Sequence, residues 1–176
     1  MVFTGAVLTT PYRQERLMAF LNGLSLTPET VSTLQWQLKQ SIIAIGSGGV
    51  LGKGFGSSTQ KAFFLPEPDN DFIFSIVGEE LGLVGAMVVL TAFLLIAWRG
   101  IQTADKAPDE LGRLIALGAT FLLCSQALCH IGIVTGVLPT KGLPLPFVST
   151  GGSSLLSSFA LIGLLLNVSQ RRRVHV

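Results

Sequence analysis

The chain has 176 residues, 49% hydrophobic and only 12% charged, with a mean hydropathy of +0.62. A soluble domain carries about 25% charged residues, so this composition argues against a water-soluble globule and for lipid as the solvent. A net charge of +2 with no basic stripe argues against nucleic-acid binding, and Cys124 and Cys129, in one apolar run, offer neither a disulfide scaffold nor zinc-ligand spacing.

Residues 1–10 are weakly apolar and lack a charged leader. They are too few to span a bilayer, which takes about 20 residues, and read as the remnant of a helix, so the chain is expected to be a fragment. Residues 11–29 are polar and broken by Asn22-Gly23 and Thr27-Pro28, giving short helical pieces and turns. Val31, Leu34, Leu38, Ile42 and Ile45 then recur at steps of three and four with glutamines and Lys39 between them, which predicts an amphipathic helix. It could lie on the membrane surface or pack against other helices.

Gly46-Ser-Gly-Gly-Val-Leu-Gly-Lys-Gly-Phe-Gly56 follows, with six glycines in eleven residues. A Walker loop would need Gly at 47 and Ser or Thr at 54, and the chain has Ser47 and Gly54. Two readings stay open: backbone N–H groups and Lys53 meeting an anion, or a flexible turn between helices. Beyond it, Leu65-Pro-Glu-Pro-Asp-Asn-Asp71 sets Glu67, Asp69 and Asp71 immediately before an apolar run. Carboxylates at the mouth of a greasy helix are costly unless used or paired, which makes this stretch the candidate for chemistry. Glu67, stiffened between two prolines, either shapes the loop, touches substrate or is a plain surface charge.

Three membrane spans are predicted at 72–98, 114–138 and 147–168. In the first, Glu79 and Glu80 are expected to pair with basic groups or cap polar contacts in the bundle, while Gly78, Gly82 and Gly85 offer flat faces for helix packing. Residues 99–113 read as a charged loop. In the second span His130 is either a proton relay or a hydrogen-bonded packing residue. The third opens with Ser149-Thr-Gly-Gly-Ser-Ser154 after the loop Pro139–Pro146. Arg171-Arg172-Arg173, with Arg99, Lys106 and Arg113, predicts a cytoplasmic C-terminus, which puts residues 11–71 and the Pro139–Pro146 loop outside. The expected fold is an all-α, polytopic membrane protein with three transmembrane helices and a long extracytoplasmic loop.

Taken together, the glycine-rich run 46–56, Gln60-Lys61, Leu65-Pro-Glu67, Asp71-Phe-Ile-Phe74, Gly78-Glu-Glu-Leu-Gly-Leu-Val-Gly85 and Leu143-Pro-Leu-Pro-Phe-Val-Ser-Thr-Gly-Gly-Ser-Ser154 resemble the C-terminal half of a SEDS protein, the family of FtsW, RodA and SpoVE. Lys141-Gly142 is more similar to the FtsW/SpoVE branch. The resemblance implies about ten transmembrane helices, of which this chain would supply the last three and the end of a fourth, all from one C-terminal portion spanning 1–176. It implies a glycosyltransferase of the cytoplasmic membrane that polymerises lipid II into undecaprenyl-diphosphate-linked glycan on the outer face, working with a class B penicillin-binding protein. The acid it singles out falls on Asp71. Two departures affect substrate fit: Asp69-Asn70 stands where the family usually has His-Thr, and Thr150 where it usually has Tyr.

The chemistry expected is attack of an acceptor hydroxyl on an anomeric carbon bearing a lipid diphosphate, with Asp71 taking the proton. Lys53 and Lys61, then Lys141, are the candidate cations for the diphosphate, and Glu67 and Ser149 the further substrate contacts. A divalent cation, Mg or Mn, bridging diphosphate and carboxylate is an open expectation, with no metal-ligand set legible in the spacing. Two rival readings are a lipid II flippase and a non-catalytic scaffold for the penicillin-binding protein, and a third is that this portion is inactive alone.

Overall fold

The computed structural model describes residues 33–58, 68–139 and 141–171. Residues 1–32, Lys61 and Glu67 lie outside them, as do Arg172 and Arg173. The elements in order are α1 (Thr33–Gly48), α2 (Pro68–Asp71), α3 (Ile73–Asp105), α4 (Glu110–Val134) and α5 (Gly152–Gln170). No strand occurs among the described residues. Helices α3, α4 and α5, of 33, 25 and 19 residues, are long and apolar enough to cross a membrane. At 1.5 Å per residue, roughly 20 residues cross a hydrocarbon core of about 30 Å, which each reaches or nearly reaches. The protein is an all-α membrane protein.

Consecutive long helices run antiparallel. Four residues join α3 to α4, and the Asp109 side chain caps α4 by accepting from the Gly112 N–H. Two apolar clusters tie the bundle, one at the Asp71 end (Phe72, Phe74, Ala127, Val134, Leu145) and one at the other end (Ala104, Ala116, Leu165, Val168). Between them Gly100 lies hard against Thr120, so α3 and α4 cross with a small residue at the contact. Apolar side chains such as Leu94, Phe121 and Leu156 stay exposed along the helices, as a lipid-embedded bundle requires.

The span boundaries shift from those expected. Helix α3 continues past Arg99 to Asp105, because nothing breaks it until the Pro108 segment, and Thr103 donates back to the Arg99 carbonyl. Helix α5 begins at Gly152, five residues later than its sequence suggests. The reason is a turn at Leu145–Ser149: the N–H groups of Val148 and Ser149 both donate to the Leu145 carbonyl, and Phe147 takes φ 65°. A left-handed phenylalanine costs about 1 kcal/mol or more, offset here by the edge-on packing of its ring on Phe159 at 5.6 Å.

Helix α1 packs against α3 and α4. Its Ser41 hydroxyl donates to the Val134 carbonyl and sits 3.3 Å from Ser75 Oγ, and its Ile45 lies against Gly78. Of the two placements open to the amphipathic helix, packing on the bundle is the one found.

Helix α3 is broken at Gly82 (φ 66°, ψ −159°), a conformation open to glycine and closed to most other residues. The glycine-rich loop fills the break. In an unbroken helix the N–H groups of Leu83 and Val84 would donate to the carbonyls of Glu79 and Glu80. Here Leu83 donates to Gly49 O (2.9 Å) and Val84 to Val50 O (3.2 Å), while Lys53 donates to Glu79 O (2.9 Å) and Gly54 to Glu80 O (3.0 Å). Two lost helical bonds become four loop–helix bonds, which is how non-helical backbone is accommodated among apolar spans. Gly48 and Gly52 permit the approach, for a Cβ on either would collide with the backbone of Gly78 or Glu80. Gly82 is therefore a break and not a flat packing face. The loop is not a free turn, and the N–H groups of Lys53 and Gly54 are used within the fold.

Candidate functional site

Asp71 ends the single turn of α2, and Phe72 (φ −128°, ψ 21°) redirects the chain into α3. Phe72 is buried in the apolar cluster at that end, which fixes the corner, while Asp71 itself is half-buried. The loop between α4 and α5 folds directly over it. A Cβ built on Gly142 would lie 2.5 Å from Asp71 Oδ2 and 3.1 Å from its Cγ, so a side chain at 142 would have to push the carboxylate or the loop aside. Lys141, the preceding residue, is exposed.

That loop is held by four polar contacts. Two come from α4: Gln126 Nε2 donates to the Pro144 carbonyl at 3.0 Å, and His130 Nδ1 hydrogen-bonds the Leu143 carbonyl. Gln126 and His130 are four apart and so share one face of the helix. The other two pass through Ser149, whose hydroxyl accepts from the Leu145 N–H (2.8 Å) and donates to the Asn70 carbonyl (2.8 Å). The α2 end and the α4–α5 loop are thus one unit around Asp71. Among the described residues, His130 Nε2 and Asn70 Oδ1 are buried without a hydrogen-bond partner.

The expected site residues separate into groups. Asp71 and Gly142 come together, with Lys141 exposed one residue before Gly142. Ser149 is buried, 1% exposed, and its hydroxyl is committed on both sides, so its position makes it a brace of the site and not a surface for substrate. Lys53 lies at the α3 break, where its ammonium meets Glu79 Oε1 at 2.7 Å, with the Lys53 side chain 35% and Glu79 0% exposed. Ser58 donates to the other oxygen of Glu79 at 2.6 Å. The expected pairing of Glu79 with a basic group is what the structure has, and the cation is the lysine otherwise assigned to the diphosphate. His130 acts as a hydrogen-bonding residue in the packing. No cluster of three or more His, Cys, Asp or Glu side chains of metal-binding arrangement occurs among the described residues.

Gln126 was absent from the expected site and is part of its support. Its signal was available: two polar residues four apart in a span otherwise apolar. Ser58 carries no such signal, because nothing in its local sequence distinguishes it from neighbouring loop serines.

The family model described as "Cell cycle protein", FtsW/RodA/SpoVE, matches residues 1–174. The chain belongs to the FtsW/RodA/SpoVE family. It is 47% identical over 167 residues to the probable peptidoglycan glycosyltransferase FtsW of Geobacter metallireducens, covering 95% of this chain and 44% of that one. It is 44% identical to stage V sporulation protein E of Bacillus subtilis, covering 97% and 46%. A chain in the solved structure "Structural coordination of polymerization and crosslinking by a peptidoglycan synthase complex" superposes with a TM-score of 0.72 at 29% identity, covering 98% of this chain and 48% of that one. The family member described here therefore spans slightly under half the length of these relatives.

Proposed function

We propose that the full-length gene product is a peptidoglycan glycosyltransferase that polymerises lipid II at the outer face of the cytoplasmic membrane, with the C-terminus in the cytoplasm and a class B penicillin-binding protein as partner. The observation that carries this reading is Asp71, held at the head of a membrane span with Gly142 against its carboxylate. FtsW-named relatives at 45–47% identity support it.

In this reading the acceptor hydroxyl gives its proton to an Asp71 oxygen as its oxygen bonds to the anomeric carbon of the donor. The bond from that carbon to the diphosphate oxygen breaks, and the diphosphate leaves with the electron pair. General-base help of this kind supplies roughly 10²–10⁴-fold. Lys141, exposed and one residue from the Asp71 contact, is the cation this chain offers to the departing diphosphate among its described residues. Lys61 and Glu67 remain assigned to substrate as proposals. Mg²⁺ is typically held by one or two carboxylates plus substrate phosphates. Asp71 fits one half of that set, so a divalent cation here would be shared with the diphosphate and would neutralise its charge.

The test is Asp71→Asn in the full-length protein with its partner, assayed for glycan polymer and for lipid II scrambling on one preparation. Polymer should fall by at least about 10²-fold with expression and partner binding intact. Normal polymerisation by the variant would overturn the assignment. Scrambling without polymer in the parent protein would favour transport, and neither activity would favour a scaffold.

A further inference from the structure

Glu79 is 0% exposed in a helix of membrane-spanning length, where an ionised carboxylate survives only if it is compensated. Two compensating groups among the described residues come from the glycine-rich loop and the residues just beyond it. Lys53 Nζ meets one oxygen at 2.7 Å and the Ser58 hydroxyl donates to the other at 2.6 Å. In the same segment, the N–H groups of Lys53 and Gly54 cap the carbonyls of Glu79 and Glu80, and, N-terminal to Lys53, Gly49 and Val50 accept from Leu83 and Val84. If the loop left the gap in α3, the buried Glu79 would lose Lys53 and Ser58, and four backbone groups of α3 would lose their partners.

The same loop is continuous with α1, which Ser41 ties to Val134 and sets beside Ser75. The half-helix from Ile73 to Leu81 is therefore gripped at two levels, by Ser41 near its head and by the loop at its foot. Asp71 stands at its head, and Ile73 to Glu79 covers only about 9 Å along the axis at 1.5 Å per residue.

We infer that Glu79, Lys53 and Ser58 form a latch that holds the glycine-rich loop in the break of α3 and so positions Asp71 for reaction. The inference rests on the reading of Asp71 as the base. The three are positioning residues, and Lys53 serves the reaction through Glu79 and not through the diphosphate. A displacement of the half-helix by about 1 Å is enough to cost on the order of 10²-fold in rate.

The latch predicts a specific pattern in the full-length protein with its partner. Glu79→Gln and Lys53→Met should each raise amide hydrogen exchange at Leu83 and Val84 by about tenfold or more, since those amides are protected only while the loop stays in place. Each should lower kcat for polymer by about 10²-fold with the KM for lipid II within about twofold. The double variant should be no worse than the worse single, as expected for two halves of one interaction. Lys53→Arg, which keeps the pair, should retain most of the rate. Unchanged exchange in Glu79→Gln overturns the latch. So does a raised KM in Lys53→Met that Glu79→Gln does not share, the signature of a substrate cation. Raised exchange with an undiminished rate overturns the link to Asp71. Where Glu79→Gln does not fold, Ser58→Ala, which removes one bond and no charge, carries the exchange test, and unchanged exchange there is equally fatal. Asp71→Asn run in parallel should be inactive with its amides protected. An active Asp71→Asn removes the base assignment while the exchange arm still judges the latch.

Discussion

Gly142 presses its main chain on the carboxylate of Asp71, and a methyl group at 142 would sit 2.5 Å from Oδ2. The α4–α5 loop thus limits where that carboxylate can be. Gly142→Ala has to displace either the loop or the acid. Because a shift of this size costs on the order of 10²-fold in rate when it moves a reacting group, polymerisation should fall by about that much. The position is at the surface, so the thermal unfolding midpoint should hardly change. Glycan polymer yield and a melting curve on one preparation check both halves.

Gly82 sits in the left-handed region with its Cα against the glycine-rich loop, and an added Cβ would lie 2.6 Å from Val50 O. Gly82→Ala therefore carries a backbone cost of about 1–2 kcal/mol and a collision with main chain that cannot rotate away. The expected loss is about 2–4 kcal/mol, at the severe end for a point mutation. Gly118→Ala, with open space around its Cβ position in α4, should be neutral or slightly stabilising by comparison. Thermal unfolding of both variants in the same detergent measures the contrast.

Ser149→Ala removes the hydroxyl that accepts from the buried Leu145 N–H and donates to Asn70 O. Leaving a buried donor without a partner costs about 1–3 kcal/mol. Because the bond to Asn70 joins the α4–α5 loop to the residue beside Asp71, activity should fall along with stability. Val148→Ala, at a half-exposed neighbour, should affect neither. A substrate-contact role for Ser149 would instead raise the KM for lipid II at unchanged stability, and steady-state kinetics with a melting curve separates the two.

Much of the architecture was legible because membrane spans are written locally. Lengths of apolar residues bounded by Arg99 and Lys106, by Pro139 and by Arg171 mark three helices without reference to anything distant. The start of α5 moved to Gly152 because residues 145–149 make a turn, and that turn is tied to Asn70, 79 residues before Ser149, through the Ser149 hydroxyl. Asp71 was legible as the acid at the head of a span. Its covering by Gly142 was not, since no local pattern says which loop closes over which corner.

The sequence by itself determined an all-helical membrane protein with three long apolar helices and its family, and it singled out Asp71 for mutation, because hydropathy, helical periodicity and long motifs are properties of contiguous residues. Only the tertiary structure decided that α3 is broken, that a glycine-rich loop repairs it, and that Lys53 is spent on Glu79. Those outcomes turn on buried backbone groups and a buried charge finding partners about 30 residues away, a satisfaction requirement imposed by the absence of water and invisible until the chain is folded.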